Sequence, residues 1–546
     1  MPESVTRDLT GPGWHVRVNL SPQVLSLALP QRELQWRGRE DDVEPTCPKT
    51  YGFTSASMLA VHAKWFDDGL YAAVELAAQT KKAELLAALA SASPTVAAAA
   101  HLGRITAGSP TEAVRQIVVA FLADERRSKP LGFYTWNQEL ERIFRQDRLL
   151  QEELAPGEAS AIRDAMRRDP TLVARYDGYL KLVAGLTNAP AQGKPDLREP
   201  NGRWFFPSSR SHESDLVQRL YGSSPVPEGF SLADEMLSRL RQGTLRLTPT
   251  DDSGWYDWQT WALEGIACLE QMPEGARIKL NDRYRQQLDE LFKAVLSLTR
   301  ETHVKQLDLL EAGAALGARN PKVVVTVAPD ISVEPLRTYY ERRAQAYEFI
   351  SDVLASALPL GRMKRQGADG PSSRALDEEL AEIAALFRGA ASVAGDELGM
   401  ERASGADVAV FRAWSESAKR SEDVRMMVPV FYDIERRQTK VWMVIGWCTR
   451  WVEVDFIRRP AVTVVQGEVT VRFDTQSRCI AYPVFAEAYV SRLLNRDEFR
   501  AHCDRHRSQS EILGALTLEG SRRWRSRGGG ADARGGTALT IEGARH

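Results

Sequence analysis

Apolar positions recur every three or four residues through most of the chain, a spacing typical of amphipathic helices. It predicts helices across residues 55–150, across residues 160–186 and again across residues 231–400. Pro94 and Pro170 should each divide a helical stretch, because proline cannot continue a helix. The clearest periodic face follows Pro335 and carries Leu336, Tyr340, Ala344, Tyr347, Ile350 and Leu354. The pattern therefore predicts a mainly α-helical protein.

The period changes to two after residue 421. Apolar side chains then alternate with other residues from Val441 to Trp447 and from Val452 to Phe456. Alternation of this kind is typical of strands with one packed face. We therefore expect a small antiparallel β region near the C-terminus, within residues 421–518, together with closing helices.

Composition shifts suggest where the chain divides. Residues 1–190 form a predicted N-terminal helical region, and residues 191–230, which are dense in Pro, Gly and Ser, form a loop-rich connection. Residues 231–400 form a second helical region. Residues 522–546 are rich in Arg and Gly and are predicted to be disordered.

The overall charge gives no indication of a strongly charged partner. The 546 residues carry a formal net charge of -2, which argues against nucleic acid as the main partner. An RGG-type stretch in the tail would suit single-stranded nucleic acid, but a solvated tail is the interpretation we prefer. No run approaches the ~20 apolar residues that a membrane span needs, so a soluble protein without membrane contact is expected.

The five cysteines are scattered singly, without a CxxC pair, which favours reduced thiols. Whether Cys448 pairs with Cys479 stays open, since both lie in the predicted β region. The N-terminus lacks the apolar stretch of a signal peptide, which indicates a cytoplasmic protein. A mis-assigned start site would leave export open.

Common catalytic and cofactor-binding motifs are missing from the sequence. There is no Walker A loop, no GxSxG elbow and no GxGxxG unit between a strand and a helix. His502 and His506 form an HxxxH pair, but the arginines around them disfavour a divalent cation. No cofactor and no metal site is therefore predicted.

The segment 251–264 carries the most unusual combination of side chains. Polar residues at 251–253 are expected to cap a helix on which Asp257, Trp261 and Glu264 share one stripe. Trp255 and Trp258 lie on another face of that helix.

Carboxylates beside tryptophans match the needs of a sugar site. One acid would protonate the glycosidic oxygen, a second would act as base or nucleophile, and the indole rings would stack on the sugar. Asp257 and Glu264 are therefore the candidate catalytic residues, and the candidate ligand-binding residues are Trp255, Trp258, Trp261 and His303. The competing interpretation is a capped, aromatic-rich helix packed in the core, with His303 a hydrogen-bonded structural histidine.

Two functional hypotheses follow, and the sequence does not decide whether the chain is an enzyme. In the first, the protein is a non-catalytic scaffold or binding module. In the second, it is a glycoside-active hydrolase with residues 251–264 lining a sugar-binding cleft. The missing motifs favour the first hypothesis, with a carbohydrate or a protein as the partner.

Overall fold

The computed structural model describes residues 54–302 and 331–420, apart from gaps at 131, 212, 223, 226–231, 281 and 368–369. The predicted β region, the tail after residue 522 and His303 lie outside these ranges. The antiparallel strands, the disordered tail and the ligand-binding role of His303 therefore stay predictions. The proposed region boundaries likewise stay predictions.

The described part of the chain is mainly helical, as the periodicity predicts. The α-helices are α1 (Ala56–Leu89), α2 (Pro94–Leu102), α3 (Glu112–Ala123), α4 (Glu125–Ser128), α5 (Gln138–Leu150), α6 (Pro156–Arg168), α7 (Pro170–Leu186), α8 (Glu213–Tyr221), α9 (Leu232–Arg241), α10 (Trp255–Ala262), α11 (Glu264–Ala267), α12 (Asp282–Thr302), α13 (Arg337–Ala357), α14 (Leu376–Glu397) and α15 (Ala406–Arg420). Short 3-10 turns lie at Gly132–Thr135, Leu269–Gln271, Pro273–Arg277 and Leu360–Arg362. Among these helices, none combines the length and the apolar character needed to cross a bilayer.

Helix α1 joins two clusters of buried apolar side chains. Its 34 residues extend about 50 Å at the usual rise of a helix. Leu59 and Leu70, in its first half, belong to a large core shared with α10, α12, α13 and α14. Leu85 and Leu89, near its end, belong to a smaller core shared with α2, α5, α6 and α7. The long helix therefore connects the two packed regions.

The proline predictions are confirmed. Pro94 and Pro170 occupy the first turns of α2 and α7, where their missing N–H is no loss, and Ser93 and Asp169 provide side-chain caps. Asn137 is the N-cap of α5 and accepts a hydrogen bond from the Leu140 amide at 2.9 Å.

Helix α13 lies at the centre of the large core, beside α10 and α14. The predicted apolar face is confirmed, since each of its six residues from Leu336 to Leu354 is buried. This helix contributes side chains to both groups of residues that are candidates for function.

Candidate functional site

The predicted helix over residues 251–264 is interrupted in the structure. Helix α10 begins after Gly254, which caps it without a side chain, and ends at Ala262. Leu263 separates α10 from the short α11, where Glu264 is the first residue. Asp257 therefore lies in α10 and Glu264 at the start of α11, with Leu263 between them in a helical backbone conformation.

Gly254 stands where the chain passes close to the end of α7. A Cβ atom at this position would lie 2.2 Å from the Ala184 carbonyl oxygen and 2.3 Å from that of Thr187. The Tyr256 amide donates to the same Thr187 oxygen at 2.9 Å. The absence of a side chain at residue 254 thus allows α10 to start directly against α7.

Three donors converge on the carboxylate of Asp257, which is 7% exposed. Its Oδ1 accepts a hydrogen bond from Asn188 Nδ2 at 2.9 Å. Its Oδ2 accepts from Ser253 Oγ at 2.7 Å and from Arg210 Nη2 at 3.3 Å. Asp257 therefore connects α10 to the chain around residues 188 and 210.

Glu264 is also engaged at both carboxylate oxygens and is 8% exposed. Its Oε1 accepts from the Leu247 amide at 2.6 Å, and its Oε2 accepts from Arg342 Nη1 at 2.8 Å. Arg342 also donates to the Trp261 carbonyl oxygen at 3.0 Å. Among the described residues, no hydrogen-bond partner is shared by Glu264 and Asp257.

Trp255 lies in the core. It is 0% exposed, and its ring stacks on that of Tyr71 with the centroids 5.4 Å apart. A ring enclosed in this way offers no face to a ligand. The structure thus places the first of the three candidate tryptophans apart from the other two.

Trp258 and Trp261 are only partly buried, and they lie together. Their ring centroids are 5.7 Å apart in an edge-to-face arrangement. Trp258 also stacks on Phe349 of α13 at 5.2 Å, and the Arg342 guanidinium lies 4.2 Å from the centre of the Trp261 ring. We use the name aromatic surface for the four side chains of Trp258, Trp261, Phe349 and Arg342. Its members come from α10 and α13, which pack against each other.

A second group of polar side chains lies inside the large core, and the sequence does not indicate that its members meet. Asp67 of α1 accepts hydrogen bonds from Tyr347 OH at 2.6 Å, from Gln259 Nε2 at 3.0 Å and from Arg343 Nη2 at 3.1 Å. Arg343 also donates to Tyr347 OH at 2.8 Å. Asp67, Gln259, Arg343 and Tyr347 are named the interior polar cluster. It joins α1, α10 and α13.

Burial governs the electrostatics of this cluster. It raises the pKa of Asp67, although Arg343 and the Tyr347 hydroxyl act in the opposite direction. Next to it, burial raises the pKa of Asp68 to about 6, while its ion-pair partner Lys64 opposes the shift. All of these side chains are enclosed in the core. They suit internal bracing better than contact with a substrate.

Other candidate chemistry is limited within the described ranges. No group of three or more His, Cys, Asp or Glu side chains there is arranged to hold a metal ion. His303, His502 and His506 lie outside those ranges. No protein-family model matches the chain, and neither a curated protein nor a solved structure is significantly similar to it.

Proposed function

We propose that the protein is a non-catalytic scaffold or binding module, and that the aromatic surface contacts its partner. The observation that carries this proposal is the contrast between two sets of side chains within residues 255–264. The carboxylates of Asp257 and Glu264 are occupied by partners within the chain. The rings of Trp258 and Trp261 keep part of their surface accessible.

The hydrogen bonds of the two carboxylates support a bracing role. A general acid must deliver a proton to its substrate, and a nucleophile must approach the reacting carbon with a free lone pair. Asp257 instead receives three donors and Glu264 receives two. Before acting on a ligand, Asp257 would have to break its hydrogen bond to Arg210, and Glu264 its hydrogen bond to Arg342.

The aromatic surface has the chemistry of a contact site. Tryptophan combines a large apolar face with one polar N–H, and arginine and tryptophan are among the residue types most enriched at the centres of interfaces. Phe349 and Arg342 hold the two rings in place from α13. A flat apolar partner, such as the face of a pyranose ring or an apolar peptide side chain, would fit such a platform.

One observation favours glycoside hydrolysis as a second candidate function. Glu264 shares Arg342 with the ring of Trp261, so one carboxylate adjoins the aromatic surface. In that case, Glu264 would supply a carboxyl group to a sugar stacked on the tryptophans. The second carboxylate would be Asp257.

Binding of soluble oligosaccharides by wild type, Trp258→Ala and Trp261→Ala tests the proposal. Each substitution should weaken binding at least ~10-fold, about 1.4 kcal/mol. Trp65→Ala is the matched control, because Trp65 is 39% exposed and belongs to α1. Equal affinities for all four proteins would show that the aromatic surface does not bind the oligosaccharide. Release of reducing sugar by wild type, abolished by Glu264→Gln with binding intact, would establish the hydrolase instead.

If wild type binds no oligosaccharide, a carbohydrate is excluded as the partner, and binding of a protein partner is measured next. Titration with synthetic peptides that carry exposed aromatic or proline side chains then uses the same four proteins. Binding that depends on Trp258 and Trp261 but not on Trp65 would support the module. Binding that is unaffected by all three substitutions would contradict the role of the aromatic surface.

A further inference from the structure

The segment 331–336 lies against the beginning of α1. The Thr54 amide donates to the Ser332 carbonyl oxygen at 2.7 Å, and the Glu334 amide donates to the Thr54 carbonyl oxygen at 2.9 Å. Thr54 and Val333 form an isolated parallel bridge. The junction therefore fixes two distant parts of the sequence to each other.

The side chain of Glu334 reinforces this junction. It is 0% exposed, and its Oε2 accepts a hydrogen bond from the Ala56 amide at 2.7 Å. That amide belongs to the first turn of α1, where backbone N–H groups have no partner within the helix. Ser55 caps the same turn by accepting from the Met58 amide. Glu334 is thus a second capping group, supplied from residue 334.

The other oxygen of Glu334 is buried, and no hydrogen-bond partner for it lies within the described parts of the chain. Among the described residues, neither a donor nor an acceptor is bonded to Oε1. The hydroxyls of Tyr339 and Tyr340, on the first turn of α13, likewise have no hydrogen-bond partner in the part of the chain that the structure describes. Burial raises the pKa of Tyr339 to about 12 and raises the pKa of Tyr340 well above its ordinary value, and the nearby Glu334 carboxylate adds to both shifts.

Within residues 54–302 and 331–420, the charged groups near the junction do not neutralise Glu334. The arginines in the first two turns of α13 are each paired with another acid: Arg337 with Glu341 and Glu401, Arg342 with Glu264, and Arg343 with Asp67. Glu397 of α14 accepts from Ser332, and both Glu397 and Glu274 lie near enough to raise the pKa of Tyr340. Around Glu334, the helices α13 and α14 thus present phenols and acids.

We propose that Glu334 is a proton-dependent latch. While its carboxyl group is neutral, it holds the segment 331–336 on the start of α1, and loss of the proton loosens the junction. The physical reason is that no cation of the described residues pairs with Glu334, and an enclosed ionised carboxylate without a cation is costly. Water must then reach the carboxylate, or the contact must open.

The direction of the pH effect follows from burial. Burial raises the pKa of Glu334 to about 8 from its ordinary value near 4.5, and the Ala56 N–H bond only partly opposes this shift. Below about pH 4.5 the group is protonated in both folded and unfolded chains, and its contribution to stability is complete. Between about 4.5 and 8 the unfolded chain releases the proton first, so that contribution falls. It is lost once the folded chain also ionises.

The test compares hydrogen exchange in wild type and Glu334→Gln between pH 6 and pH 9. After correction for the intrinsic rates, exchange at the amides of Thr54 and Ala56 should accelerate at least ~10-fold in wild type. This is the change in the opening equilibrium that about one pH unit produces when opening releases one proton. The Glu334→Gln variant, whose side chain at this position is neutral and similar in shape, should show no such acceleration. The Thr338 amide, which Glu274 caps at 2.7 Å, is the internal reference in both proteins. Parallel pH profiles at Thr54 and Ala56 in the two proteins would overturn the latch.

A second measurement applies if the Gln variant does not fold. Infrared difference spectra of the wild-type protein report the carbonyl stretch of protonated carboxyl groups. Asp68, whose pKa burial raises to about 6, loses its band at lower pH than Glu334. Asp67→Asn removes one further acid whose pKa burial raises, the remaining one of the large core among the described residues, and it should leave the Glu334 band in place. A band that persists at pH 7 in both proteins and disappears by pH 9 supports the latch, and the absence of any such band at pH 7 contradicts it.

Discussion

Lys82 of α1 and Asp147 of α5 form an ion pair that is almost completely enclosed. The Lys82 Nζ and Asp147 Oδ2 atoms are 2.7 Å apart. The hydroxyl of Tyr179, on α7, adds a hydrogen bond to the same carboxylate oxygen at 3.3 Å. Three helices therefore meet at one charged contact, at the end of α1 that belongs to the smaller core.

Breaking this pair should be strongly destabilising. Lys82→Met removes the cation beside both Asp147 and Glu75, and we expect it to lower the free energy of unfolding by about 3–5 kcal/mol. Asp147→Leu should cost less, because Glu75 Oε2 stays 3.7 Å from Lys82 Nζ. The double variant should lose less than the sum of the two single losses, because it leaves neither member of the Lys82–Asp147 pair without the other. Urea unfolding of the three variants and wild type gives the four values that are needed. Additive losses would show that the two side chains are not coupled.

The hydroxyl of Tyr347 should stabilise the interior polar cluster. Tyr347→Phe removes the donor to Asp67 Oδ1, and we expect a loss of about 1–3 kcal/mol. Tyr339→Phe is the matched control, because Tyr339 is also buried on α13 but its hydroxyl has no hydrogen-bond partner among the described residues. Its removal should cost little or even stabilise the protein. Thermal unfolding of both variants provides the comparison, and similar losses would argue against the assigned role of the cluster.

Two glycines should respond to alanine in opposite directions. Gly254→Ala would force a methyl group against the Ala184 and Thr187 carbonyl oxygens, so we expect a loss of about 3 kcal/mol. At Gly178, in α7, a Cβ atom meets nothing within 4 Å. Gly178→Ala should therefore stabilise the protein by about 0.5–1 kcal/mol through its higher helix propensity. Urea unfolding measures both, and a neutral Gly254→Ala would contradict the close approach of α7 and α10.

The sequence predicts the helices well because periodicity records which side of each helix is buried. It fails to identify Arg343 as part of the core, although residues 340, 343 and 347 keep the same three- and four-residue steps as the apolar face. An arginine at such a position gives no indication of its partner, and Asp67 lies 276 residues away. Pairings of this kind depend on how helices pack, which a single sequence does not reveal.

The candidate site shows the same limit. The sequence identifies the unusual carboxylates and tryptophans of residues 251–264, but it predicts one continuous helix through them. Leu263 interrupts that helix, and the side chains that bind Asp257 and Glu264 from outside the segment come from Asn188, Arg210 and Arg342. Whether a tryptophan faces the core or the surface likewise depends on the position of α13.

Bracing carboxylates and a binding surface should be separable by mutation. Asp257→Asn and Glu264→Gln each place an amide NH2 group among existing donors, so we expect a loss of about 1.5–3 kcal/mol in the free energy of unfolding. Affinity for the partner, measured well below the unfolding temperature, should stay within about threefold of wild type. Trp258→Ala should show the larger effect on affinity, because its ring is partly exposed. If Asp257→Asn or Glu264→Gln instead abolished turnover of a bound glycoside at full stability, these carboxylates would be catalytic and the module proposal would be wrong.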